Sequence, residues 1–157
     1  MTSAAPPAVG QLAPDFRLKG PAGQFVGLAD YRGHQHVVLA FYPLAFTAVC
    51  SHQLPELEHA RARIESLGGA ILGISVDSWQ SNEVFARQLG VGYPLLSDFR
   101  REVSRAYGVL DEERFYTKRA VFVIDRDGRI TYSDVSANSA QIPSVARIVE
   151  QLESLPH

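Results

Sequence analysis

Apolar positions along this chain change period several times, and each change marks an element. From His36 to Tyr42, HVVLAFY is an almost unbroken run of β-branched and aromatic residues, as expected of a strand covered on both faces. From Ser51 onward the apolar residues Leu54, Leu57, Ala60, Ile64 and Leu67 recur at helical spacing, and Gly68 and Gly69 close the pattern. Pro55 stands one turn inside that helix, where it is tolerated but bends or loosens the first turn. Ala70 to Val76 (AILGISV) predicts a second buried strand, and Ser81 to Leu89 a helix capped by Ser81 and stopped by Gly90.

Shorter elements fill the ends. Asp15 to Leu18 and Gln24 to Leu28 flank GPAG, a turn sequence, and predict an N-terminal β-hairpin. Tyr93 to Leu96 predicts a short strand, Arg101 to Tyr107 a short helix ended by Gly108, and Arg119 to Asp125 another strand. DRDG turns the chain into Ile130 to Val135, and Pro143 to Leu152 closes it with a helix whose Val145, Ile148, Val149 and Leu152 share a face. Strands alternating with helices, with hairpins at both ends, predict an α/β fold with a mixed central sheet and helices on both faces. In such folds the working site lies beyond the carboxyl end of a strand, where the next helix begins. Residues 1–8, rich in Ala and Pro, are expected to be a flexible tail, with folded structure from near Ala13 in a single domain spanning 9–157.

Composition narrows the picture. The 157 residues, 46% hydrophobic and 20% charged, suffice for one buried core. The net charge of −2 has both signs interspersed, which argues against a nucleic-acid-binding stripe. No basic leader, signal-like core or membrane-length apolar run is seen, so a cytoplasmic protein without membrane partners is expected. The chain holds one cysteine, Cys50, which suits a reducing compartment and leaves it without a second thiol of its own.

Cys50 falls between the central strand and the helix after it. A helix N-terminus offers unpaired N–H groups and partial positive charge, both of which stabilise an anion such as a thiolate. A thiol so placed has a lowered pKa and becomes a nucleophile, more so with an arginine nearby. The plain alternative is a small buried hydrophobe. Thr47 upstream can direct a hydroxyl at the sulfur, and Pro43 stiffens the end of the strand and removes a donor.

PLAFTAVC, Pro43 to Cys50, matches the P-x-x-x-T-x-x-C motif of the peroxiredoxins and resembles that family's active site. APDFRL, SVDS, YPLLSD and RAVFVIDRDGRI fall where the family has similar segments, so the resemblance runs from about Val9 to Leu155. PLAFTAVC and PLLSDF are most similar to the one-cysteine bacterial type of alkyl hydroperoxide reductase E. The resemblance implies a thioredoxin-like fold and a thiol-dependent peroxidase, without cofactor or metal. It would reduce hydrogen peroxide, alkyl hydroperoxides or peroxynitrite. Cys50 would attack the peroxide and become a sulfenic acid. Thr47 would hydrogen-bond sulfur and peroxide, Arg119 would lower the thiol pKa and stabilise the separating oxygens, and Pro43 would shield the sulfur.

Gln53 stands where many members of the family carry glutamate, and it adds no negative charge beside Arg119. With no resolving cysteine, regeneration falls to an external reductant: a low-molecular-weight thiol, thioredoxin, glutaredoxin or mycoredoxin. A homodimer is expected, with no nucleic-acid partner. Two other readings are a peroxide sensor or relay that passes oxidation to a partner protein, and a structural or chaperone-like member that keeps the scaffold without catalysis. Tyr42, Phe46, Gln53 and Trp79 are further candidates for the substrate pocket. His34 and His36 in HQH lack companion ligands for a metal, and His52 diverges from Cys50 on the helix.

Overall fold

β-Branched and aromatic side chains extend the chain after Gln35 into an interior strand of the sheet, buried along its whole length. The computed structural model describes residues 5–47, 50–136 and 141–156, the side chains of Cys50 and Ser51 excepted. Its described elements run β1 (Arg17–Lys19), β2 (Phe25–Gly27), β3 (His36–Phe41), α1 (Cys50–Ser66), β4 (Gly69–Ser75) and α2 (Trp79–Leu89). They continue with β5 (Leu95–Ser97), α3 (Glu102–Ala106), β6 (Ala120–Ile124), β7 (Ile130–Val135) and α4 (Val145–Glu153).

The strands form one sheet in the order β2-β1-β5-β4-β3-β6-β7. β3, β4 and β5 are parallel, and α1 and α2 supply the long crossovers that parallel neighbours require. β1, β2, β6 and β7 are joined antiparallel, which makes the sheet mixed. Both faces are covered. Val38, Ala40 and Tyr42 pack with Leu54, Leu57 and Ile64 of α1, Phe85 of α2, and Ile148 and Leu152 of α4. Val37, Leu39 and Phe41 point the other way, onto Phe16, Leu28, Val103, Tyr107 and Phe122. The alternation of the pleat thus sends one continuous apolar run into two separate cores.

Local chemistry shifts some boundaries. The α2 cap is Ser78, not Ser81: the Ser78 hydroxyl accepts from Ser81 N–H at 3.2 Å, so the helix starts two residues earlier than its periodicity suggests. At the start of the chain, Gly10 N–H donates to Ile130 O and Ala13 N–H to Gly128 O, so backbone pairing begins at Gly10, ahead of Ala13. Of the expected tail, residues 1–4 lie outside the described residues. The GPAG turn is a short 3-10 turn in which Gly23, at φ 72°, lies against the Trp79 indole; a Cβ there would come within 3.3 Å of the ring. The run from Asp111 to Arg119 is largely a loop, but Thr117 within it is buried and pairs with Leu110.

Candidate active site

Strand register assembles the site. Phe41, the last residue of β3, pairs antiparallel with Ala120, the first of β6. Arg119 directly precedes Ala120, so this register brings a residue distant in sequence to the end of β3. Arg119 is 2% exposed, and its guanidinium Nη1 donates to Gln53 Oε1 at 2.6 Å. Gln53 is buried too, with Nε2 3.5 Å from the Phe41 carbonyl. Those contacts orient the amide, its acceptor toward the guanidinium and its donor toward the strand end. Gln53 lies in the first turn of α1, and the backbone of Cys50 opens that helix. The Cys50 thiol, together with Ala48 and Val49 of the motif, lies outside the described residues.

The loop before the helix is closely held. Pro43 is buried and Thr47 exposed, and the Thr47 hydroxyl donates to Leu44 O at 2.9 Å. Its proton committed to a carbonyl, that hydroxyl meets a further partner as an acceptor. Phe46 adopts φ 66°, the left-handed region, and its ring, half exposed, lies 5.0 Å from that of Phe85. Phe85 in turn stacks at 6.1 Å on Tyr42. Tyr42 is fully buried; its hydroxyl donates to Asn82 Oδ1 at 2.6 Å, and its carbonyl accepts from Thr117 Oγ1 at 2.9 Å.

Trp79 stands elsewhere. It lines a groove of about 840 Å³ with Phe16, Lys19, Phe25, Phe99 and Arg100, and Pro43, Thr47 and Arg119 are not among the groove's lining residues. His36 is buried with Nε2 3.0 Å from Pro156 O, and His52 is exposed. Among the described residues no cluster of three His, Cys, Asp or Glu side chains is poised for a metal, and no helix is long and apolar enough to cross a membrane. Asp77, Asn82 and Thr117, which hold the loop, escape sequence reasoning because their partners are backbone groups or residues distant in sequence. The one available signal is a polar residue type inside otherwise apolar or turn segments.

A profile of the AhpC/TSA family matches residues 9–133. The chain belongs to this peroxiredoxin family. Alkyl hydroperoxide reductase E of Mycobacterium tuberculosis strain H37Rv is 41% identical to it over 129 residues, 81% of this chain and 84% of that protein. The chloroplastic 2-Cys peroxiredoxin BAS1 of Spinacia oleracea is 36% identical over 83% of this chain and 53% of its own length. In solved structures, the reduced 2-Cys peroxiredoxin of Plasmodium vivax superposes with a TM-score of 0.86 at 30% identity, covering 95% of this chain and 82% of that one. The fold is therefore the thioredoxin-like fold of the peroxiredoxins. This peroxiredoxin is a thiol-dependent peroxidase, an oxidoreductase that reduces peroxides with electrons from a thiol or redoxin. Its sequence has the one-cysteine pattern.

Proposed function

We propose that Cys50 is the reacting thiol of this peroxidase and that Pro43, Thr47 and Arg119 complete its site. The observation that carries the reading is the buried Arg119 guanidinium, bonded to the first turn of the helix that begins with the chain's one cysteine. A positive charge and a helix N-terminus both favour a thiolate there. The thiolate attacks one peroxide oxygen; the S–O bond forms as the O–O bond breaks, and the departing oxygen takes a proton and leaves as water or alcohol. Sulfur is oxidised by two electrons to a sulfenic acid and the peroxide is reduced by two. Arg119 stabilises the charge that develops on the separating oxygens, and the Thr47 oxygen accepts a hydrogen bond from the peroxide O–H. Buried Pro43 limits access of water. Phe46, half exposed within the loop 42–47, gives the entrance an apolar edge.

An external thiol then attacks the sulfenic sulfur and expels water, and a second thiol resolves the mixed disulfide. A low-molecular-weight thiol, thioredoxin, glutaredoxin or mycoredoxin serves as reductant, in the cytoplasm. Two copies pair through exposed aromatic residues: Phe99 and Phe115 are 64% and 50% exposed, and Arg101 joins their loops by donating to both their carbonyls.

The test mixes reduced protein with one equivalent of hydrogen peroxide, quenches with dimedone at millisecond intervals and reads intact mass. Oxidation far faster than free cysteine, one dimedone adduct on Cys50, and none in Cys50→Ser is the expected outcome. A rate equal to that of free cysteine refutes the reading. Fast oxidation without turnover by any of these reductants turns it toward a relay that oxidises a partner protein.

A further inference from the structure

The loop 42–47 is held by groups that the chemistry above does not use. Tyr42 is fixed at both ends, by Thr117 Oγ1 on its carbonyl and by Asn82 Oδ1 on its hydroxyl. Further along, the Ala45 N–H donates to Asp77 Oδ2 at 2.9 Å. Asp77 is itself well anchored. Ser75 Oγ donates to that same carboxylate oxygen at 2.8 Å, and Ser97 Oγ donates to the Asp77 main-chain carbonyl at 2.7 Å. Between Ala45 and Thr47 stands Phe46 at φ 66°, an uphill conformation for a bulky L residue. Such strain persists only where the surroundings over-determine it. Here Asp77 holds the residue before the turn, and Phe85 packs on the ring at its apex.

We propose that Asp77 is a positioning residue of the peroxide site: through the Ala45 N–H it holds the turn at Phe46 and thereby sets where Thr47 stands relative to the first turn of α1. The inference rests on the reading of Cys50 and Thr47 given above. Asp77 acts by geometry rather than charge. Both bonds go to a single carboxylate oxygen, so the side-chain carbonyl of an asparagine can accept them both. Alanine accepts neither, and the turn relaxes toward ordinary φ values, which displaces Thr47.

The test measures, for wild type, Asp77→Ala and Asp77→Asn, the rate of oxidation by hydrogen peroxide and the rate of alkylation by iodoacetamide from pH 5 to 9, well below each protein's melting temperature. Alkylation needs the thiolate but no peroxide-binding turn. Oxidation of Asp77→Ala is expected to fall roughly tenfold to hundredfold, with its alkylation rate and the shape of its pH profile unchanged. Asp77→Asn is expected to stay within about threefold of wild type, the margin a preserved bond allows. Should Asp77→Ala fail to fold, Asp77→Ser, too short to reach Ala45, replaces it with the same expectation. An Asp77→Ala rate within about twofold of wild type overturns the inference alone, as does an Asp77→Asn protein as slow as the alanine variant. Wild type no faster than free cysteine overturns the Cys50 reading and this inference with it.

Discussion

At the residue scale, the buried Arg119 guanidinium is met by an amide rather than a carboxylate. Gln53 meets Arg119 at 2.6 Å with a neutral oxygen, where a carboxylate would add a full negative charge. Opposite charges close to a thiol lower its pKa and like charges raise it. Gln53→Glu is therefore expected to raise the Cys50 pKa, read from the pH dependence of its alkylation; an equal or lower value in the variant contradicts the role given to Gln53. Arg119→Ala removes the cation itself. It should raise the thiol pKa by about a unit or more and slow peroxide oxidation roughly hundredfold, measured by rapid quench, whereas an unchanged pKa would mean that the guanidinium does not act on the thiol. Both positions were legible in the sequence, Arg119 through the resemblance of its segment and Gln53 by its spacing from Cys50. Their bond to each other was not, because 66 residues separate them and only the β3–β6 register closes that distance.

At the scale of elements, capping decided what periodicity left open. Helix α2 begins at Trp79 because Ser78 satisfies an N–H that the apolar spacing does not register, a contact of about 1 kcal/mol. α3 solves the same problem differently. Its flanking residue, Arg101, sits at φ 65° and offers no side-chain cap, so buried Asp98, directly after β5, accepts from Val103 N–H and Ser104 N–H instead. Burial pushes the Asp98 carboxyl above the ordinary carboxylate range, against the opposing pull of its bonds from Ser104 and Val103. Between the unfolded and folded values, the folded protein therefore binds this proton more tightly than the unfolded chain does. The associated stability is present below the unfolded carboxylate value, about 4, and is lost as pH rises through the folded one. Melting temperatures of wild type and Asp98→Asn should reflect this, with the wild-type advantage shrinking as pH rises in that window. Parallel curves would show that Asp98 titrates alike in both states.

On the scale of the whole molecule, the sheet divides its work. The proposed site lies at the carboxyl end of β3 in the parallel centre, and Arg119 directly precedes antiparallel β6 beside it. The hairpin β1–β2 instead borders the groove lined by Trp79 and Phe99. Trp79 is the one tryptophan of the chain, so its fluorescence reports on that groove, and direct mass detection is the better readout of Cys50. For the proposed homodimer, sedimentation should give about twice the 17.3 kDa of the chain. Phe99→Asp, which places a charge on the most exposed of the large aromatic residues described, should shift it toward monomer. A wild type that sediments as monomer at micromolar concentration removes the dimer from the proposal.

The alternation of strands and helices, the burial of HVVLAFY on both faces and the place of Cys50 at a strand-to-helix junction can all be read from the order of residues alone. Those properties are local: they depend on side-chain period, β-branching and turn residues within a few positions of each other. The motif from Pro43 to Cys50 belongs with them, since its residues are neighbours in the chain. Long-range packing brings Gln53 to Arg119, Thr117 and Asn82 to Tyr42, and Asp77 to Ala45, and it turns Trp79 toward a different groove. Each of those outcomes turns on a strand register or a crossover, and a register is set by the summed packing of both cores rather than by any residue that it brings into contact.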